Sequence, residues 1–177
     1  KEVWTDKGSP IIYHTKELCH KLSEKLGNEY HVDYAMRYKN PSLKKTLESW
    51  KEHNFEQIMI LPLFPHYASA TNGSVIEQAM DVIKKWWVIP ELNFLPQFYD
   101  QDFYLDGFKE NGLKHNLNDY EHILFSFHGL PERHVNKVYN EGLCKDNDCE
   151  HGINEANIFC YKATCYETVL LLAKKLG

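Results

Sequence analysis

His122–Pro131 reads HILFSFHGLP. Ile123, Leu124, Phe125 and Phe127 form an apolar run that ends in a histidine, a glycine and a proline. A run of this length bounded by Gly and Pro is the pattern of a buried strand in a parallel sheet, so His128 is expected where that strand ends. In open α/β sheets that edge is where ligands bind. Gly129 allows a sharp turn beside the imidazole, and Pro131 suits the first position of a helix. A histidine after a strand can equally be a hydrogen-bonded structural residue, and this run alone does not separate the two readings.

The rest of the chain supplies the frame for that strand. Its 177 residues suit one large domain, or one domain with a piece of a second. The net charge of -5 with dispersed Lys and Arg argues against a nucleic-acid partner, which would need a basic face. No apolar run approaches the roughly 20 residues of a membrane span, and KEVWTDKGSP does not resemble a signal peptide. The expectation is a soluble, cytoplasmic chain. Its 4 Trp, 11 Tyr and 9 Phe suit flat apolar pocket walls, although cores use them too.

Upstream, Ser9-Pro10 reads as an N-cap with Pro at the first helical position, and Ile11, Ile12, Thr15, Leu18, Cys19, Leu22 and Leu26 recur at helical spacing up to Gly27. Cys19 on this stripe reads as a small buried hydrophobe. Tyr30–Tyr38 alternates as a strand would, and Asn40-Pro41 introduces a helix through Leu43, Leu47 and Trp50. Phe55–Phe64 contains Ile58-Met59-Ile60-Leu61, the pattern of a strand covered on both faces. After the small polar run Ser69, Thr71, Asn72, Gly73 and Ser74 a helix is expected to start, with Ser74 and Glu77 as a capping box and Val75, Ile76, Ala79, Met80, Ile83 and Trp87 as its buried stripe. A hydroxyl-rich turn at a helix start offers free N–H groups to an anion, and it also simply caps. A strand over Leu92–Phe98 and a helix from about Asp102 to Leu117 follow, so strands alternate with helices. That pattern predicts a three-layer α/β sandwich with short parallel sheets.

Downstream, Cys144, Cys149, Cys160 and Cys165 account for four of the five cysteines, at spacings x4, x10 and x4. In a reducing compartment such a set reads as metal-binding rather than disulfide-forming. Four thiolates match the ligand count of zinc or of an iron-sulfur cluster, while the C-x2-C hook of structural zinc and the plant-type ferredoxin spacing are both absent. Iron-sulfur, zinc, and free or paired thiols all stay open on chemistry alone. Lys145–Asp148 begins like a calcium loop but lacks the glycine and distal glutamate at the required offsets. A last helix is expected over Ala163–Leu176, with Lys174 and Lys175 at its C-terminal end.

Three stretches taken together resemble the ferrochelatases: WTDKGSP running into IIYHTKELCHKL, MRYKNPS with LPLFPHYASATNGS, and LFSFHGLP. The tail CYKATCYETVLLLAKKL extends the match over nearly the whole chain. The resemblance implies two Rossmann-like, chelatase-type lobes around a porphyrin cleft, and insertion of ferrous iron into protoporphyrin IX or coproporphyrin III during heme synthesis. It implies that His128 is the catalytic, metal-facing histidine, and that Tyr67, Ser69, Thr71 and Ser74 line the cleft, with Arg37 in the segment at the end of the second strand. Phe64 and Phe127 join Tyr67 as candidate walls against the macrocycle. Phe127 departs from the small residue common in the family just before the histidine. Some bacterial members hold a 2Fe-2S cluster on four internal cysteines, and Cys144, Cys149, Cys160 and Cys165 look like that set, with zinc as the alternative.

Members of this family are nearly twice as long. Residues 1–118 are therefore expected to be most of the first lobe without its first strand, and residues 119–177 the start of the second lobe. The resemblance implies a fragment that is inactive alone and whose incomplete sheet exposes it to self-association, with the parent peripheral at the membrane. Two other readings are a chelatase for another metal such as cobalt and a non-catalytic cluster-binding module.

Overall fold

The computed structural model describes residues 4–95 and 97–177; residues 1–3 and Pro96, the latter inside the strand expected over Leu92–Phe98, lie outside the described residues. The helices and strands run α1 (Pro10–Leu26), α2 (Leu43–Trp50), β1 (Gln57–Ile60), α3 (Ser74–Ile83), β2 (Glu91–Phe94), α4 (Asp102–Gly112), α5 (Glu132–Asn136) and α6 (Tyr161–Leu176). β1 pairs with β2. The Glu91 amide donates to the Glu56 carbonyl and the Leu95 amide to the Ile60 carbonyl, both at 3.0 Å. This constant offset makes the pair parallel, with α3 in the crossover. The architecture is thus α/β with a short open parallel sheet. Among the described residues no helix is long and apolar enough to cross a membrane.

The chain divides into two compact units, Lys1–Ile58 with Glu77–Glu91, and Met59–Ile76 with Leu92–Gly177. In the first, α1 begins and ends where local chemistry places it. Ser9 is the extended N-cap, Pro10 follows, and Gly27 at φ 77° donates its amide to the Ser23 carbonyl. That left-handed φ favours glycine. The helix's apolar stripe is only partly covered: Ile12, Thr15, Cys19 and Leu22 are half-buried, while Ile11, Leu18 and Leu26 are exposed. α2 is capped by Ser42, whose Oγ accepts from the Lys45 amide at 3.3 Å, and it buries Leu43 and Leu47.

Two expected strands do not form. Tyr30–Tyr38 makes a single bridge, Met36 to Ser42, and 122–131 joins no ladder among the described residues. Leu124 is 92% exposed. An apolar run that suits a doubly covered strand becomes one only when neighbours on either side accept its backbone hydrogen bonds. Trp87 also departs from expectation. α3 stops at Ile83, where the Lys85 and Trp86 amides turn to the carbonyls three residues back, and Trp87 is left 98% exposed.

In the second unit α4 packs on α6. α4 ends at Gly112 rather than Leu117, and it buries Leu105, as α6 buries Leu172. Lys175 bonds Asp102 at 2.8 Å and Asp106 at 2.7 Å, one turn apart on α4. The buried face of α6 is partly polar. Thr164 and Thr168 satisfy their hydroxyls on the carbonyls four residues back, Cys160 at 3.2 Å and Thr164 at 2.9 Å.

Candidate functional site

The unit Met59–Ile76 with Leu92–Gly177 carries a cleft of about 720 Å³, lined among others by Phe127, His128, Glu132, Tyr161, Lys162 and Cys165. His128 is exposed on an extended segment just before α5, whose N-cap is Pro131. Its main chain is held from α6, because the Tyr161 hydroxyl donates to the His128 carbonyl at 2.9 Å. Burial pushes the Tyr161 phenol up to about 12, with the neighbouring Cys165 thiol adding to the shift. The phenol stays protonated and remains a donor at neutral pH.

Beneath this segment lies a second histidine. His66 is buried, stacked on Tyr99 at 5.9 Å and met edge-on by Phe127 at 5.4 Å and Tyr161 at 5.8 Å. Its Nε2 is 2.9 Å from the Thr168 Oγ1. The same oxygen lies 3.2 Å from the Tyr99 carbonyl and 2.9 Å from the Thr164 carbonyl, which only accept. The threonine proton is therefore committed to carbonyls, and His66 donates through Nε2–H. Burial holds its pKa down to about 4, so it is a neutral structural imidazole.

The hydroxyl-rich turn leads into α3 through a wide helical turn, Ser69–Gly73. The hydroxyls of Thr71 and Ser74 are turned onto backbone carbonyls. Thr71 Oγ1 donates to the Ala68 carbonyl at 3.2 Å, and Ser74 Oγ lies 3.0 Å from the carbonyls of both Ala70 and Thr71. Asn72 Nδ2 ties the turn to the Phe64 carbonyl at 3.2 Å. Ser69 and Phe64 are exposed, and Tyr67 is half-buried with its ring against Phe159. A Cβ on Gly73 would come within 3.2 Å of the Tyr67 hydroxyl, so glycine lets that hydroxyl lie over the turn. Arg37 belongs to the other unit, where its guanidinium lies over the Tyr38 ring at 4.7 Å.

Three of the four clustered cysteines meet. The Sγ atoms of Cys144, Cys149 and Cys160 lie within 4.8 Å of one another and are buried, with Cys144 at 3.6 Å from Cys149 and 3.8 Å from Cys160. Thiolates about 2.3 Å from one tetrahedral ion stand about 3.8 Å apart, so these three fit a metal-thiolate site. The Cys149 Sγ lies 3.1 Å from the Tyr139 hydroxyl, and the Cys144 amide donates to Asn136 Oδ1 at 2.8 Å. Cys165, also buried, sits five residues beyond Cys160 on α6, outside the group of three, and lines the cleft. Burial pushes the Cys144 and Cys165 thiols up to about 12, so a cation entering here must displace protons. His151 is exposed and paired with Asp148 at 2.6 Å.

Of the residues singled out in the sequence, Phe127, His128, Cys144 and Cys165 line one cleft. His66 lies within LPLFPHYASATNGS, and Tyr161 and Thr168 within CYKATCYETVLLLAKKL, yet neither they nor Tyr139 stood out there as site residues. The available signal was Thr168, a hydroxyl beside the apolar run 169–172 on the last helix.

The fold and the two sites define an α/β protein in which a buried group of thiols able to hold a metal ion adjoins a cleft bearing an exposed histidine. The chain belongs to the ferrochelatase family, whose model matches residues 1–177. It is 39% identical over 176 residues to the ferrochelatase of Legionella pneumophila strain Paris, covering 99% of this chain and 52% of that protein. The ferrochelatases of Ectopseudomonas mendocina and Bdellovibrio bacteriovorus are 34% identical over 180 residues and 35% identical over 179, each with 52% of its length covered by 99% and 100% of this chain respectively. The chain spans about half the length of the curated relatives it matches.

Proposed function

We propose that this chain is part of a ferrochelatase that inserts ferrous iron into a dicarboxylate porphyrin, protoporphyrin IX or coproporphyrin III, in heme synthesis. The observation that carries the reading is His128, standing on an aromatic-walled cleft in a chain that matches the family from end to end. To take iron, the macrocycle must lose two pyrrole protons. An imidazole can accept a proton or bind a metal ion, which suits His128 to either task. Phe64, Tyr67 and Phe127 supply apolar surface that would favour a distorted ring over a flat one, the differential binding that lowers a barrier. Arg37, Ser69, Thr71 and Ser74 complete the proposed substrate-binding set. In the turn, Thr71 and Ser74 act by shaping the backbone, since their hydroxyls are used on carbonyls.

Cys144, Cys149, Cys160 and Cys165 are proposed to hold a 2Fe-2S cluster, for which four thiols match the ligand count; zinc is the alternative. Such a group would brace the segment after α5 against α6. Cytoplasmic placement, peripheral contact of the parent with a membrane, self-association of the 177-residue piece and its inactivity alone belong to the same proposal, as does the division into first-lobe residues 1–118 and second-lobe residues 119–177.

The test is His128→Ala in a full-length protein carrying this chain. Near-complete loss of ferrous iron insertion is expected, with porphyrin still bound. Retained insertion would rule out the role given to His128, and turnover with cobalt in preference to iron would move the assignment to another chelatase. Iron and sulfide analysis with a visible spectrum on anaerobically purified protein tests the cluster; a colourless, zinc-loaded sample would replace it.

A further inference from the structure

α6 carries, in order, Cys160 at its N-cap, Tyr161 at its first position, Cys165 one turn on and Thr168 in its middle. Two of these are thiols of the proposed metal site. The other two hold the histidine segment: Tyr161 bonds the His128 carbonyl at 2.9 Å, and Thr168 bonds His66 at 2.9 Å, whose ring abuts both Tyr161 and Phe127. Cys160 is fully buried within the group of three thiols, and its neighbour in sequence is the residue that reaches His128. The first turn of a helix is its least constrained part, because its amides have no partners within the helix. A metal-thiolate bond at Cys160 removes that freedom where Tyr161 begins.

We propose that Tyr161 is a positioning residue that couples the thiol site to His128: metal bound by the cysteines fixes the start of α6, and the Tyr161 hydroxyl passes that constraint to the His128 main chain. The His66–Thr168 pair is the fixed wall against which the Tyr161 ring moves or rests. The role given to His128 under the proposed function is what makes this coupling useful; the coupling itself is a property of the 177-residue chain and is measurable without turnover.

The experiment uses that chain with its thiols reduced, zinc ion as the probe, and the imidazole proton signals of His128 followed by NMR. Zinc is expected to bind with the loss of thiol protons and to move the His128 signals. Tyr161→Phe keeps the ring and removes only the donor. It is expected to bind zinc as tightly as the unaltered chain, while the movement of the His128 signals falls to less than half. The coupling is overturned by absence of zinc binding, by His128 signals that do not move, or by equal movement in Tyr161→Phe. It is also overturned by movement that persists in the double variant Cys144→Ser, Cys149→Ser, which would mean that zinc sits on His128 itself. In a full-length protein Tyr161→Phe is expected to lower kcat for iron insertion with KM nearly unchanged. Retained insertion by His128→Ala would sink the functional reading and leave the zinc-dependent signal standing, so the two failures are distinct.

Discussion

His66 and Thr168, 102 positions apart, meet through a buried 2.9 Å hydrogen bond in which the imidazole Nε2–H donates to the threonine hydroxyl. Burial lowers the folded-state pKa of His66 from 6.5 to about 4. The unfolded chain therefore binds the proton first as pH falls, and the stability that the neutral ring contributes is full above pH 6.5 and is lost between there and about 4. A loss of about 3 kcal/mol over that window is expected. His66→Gln, which does not titrate, should flatten this acid limb in urea unfolding measured across the pH range, even if it lowers stability at neutral pH.

Thiol burial gives metal binding a pH dependence of the same sign, at higher pH. With Cys144 and Cys165 pushed up to about 12, loading displaces protons, so apparent zinc affinity rises with pH by about tenfold per unit for each thiol proton released. Competition titrations with a chelator between pH 6 and 8 measure that slope. A pH-independent affinity would mean the thiols are not the ligands.

Tyr139 stands behind the thiol site. Its hydroxyl is 3.1 Å from the Cys149 sulfur, the position of a group that orients a ligand and stabilises its thiolate. Tyr139→Phe should weaken metal binding by about tenfold and leave the unloaded chain's melting behaviour nearly unchanged.

Gly73 is where the proposed substrate contact can be separated from folding. Its backbone does not need glycine, since alanine at a helical position is favoured by up to about 1 kcal/mol. A Cβ there would, however, press on the Tyr67 hydroxyl at 3.2 Å. Gly73→Ala is expected to leave thermal stability within that margin while reducing porphyrin affinity of a full-length protein, as read by fluorescence quenching.

Leu105 tests whether the thiol site depends on the helix pair behind it. The side chain is 1% exposed, on the helix that packs against α6. Leu105→Ala should cost about 3 kcal/mol. Zinc-loaded protein should regain part of that loss, because a ligand bound only by the folded state adds to its stability.

Much of the chain was legible before any contact was known. Ser9, Pro10 and Gly27 bounded α1, and Asn40-Pro41 announced α2, whose cap proved to be Ser42. The small residues before Ser74 marked the start of α3, and the four thiols were grouped by spacing alone. The periodicity failed where burial had to be supplied from elsewhere. Trp87 continued an apolar stripe after the helix had ended, and Leu124 sat in a strand-like run with no ladder partner among the described residues. On α6 the difficulty was reversed. Its buried face includes Thr164 and Thr168, so an apolar stripe gives little sign of the side that holds His66.

By itself, then, the sequence determined the helix boundaries around α1 and α2, the spacing of the thiols, and the placement of His128 just ahead of a proline-led helix. Caps, prolines and left-handed glycines act over a few residues, within reach of a local reading. Tertiary structure alone decided that His66 is buried against Thr168, that Tyr161 grips the His128 carbonyl, that Cys144, Cys149 and Cys160 meet while Cys165 faces the cleft, and that HILFSFHGLP is extended chain rather than a strand. Each of these depends on a partner brought from elsewhere in the chain, or on the lack of one, and a residue's own type and spacing carry no record of where that partner lies.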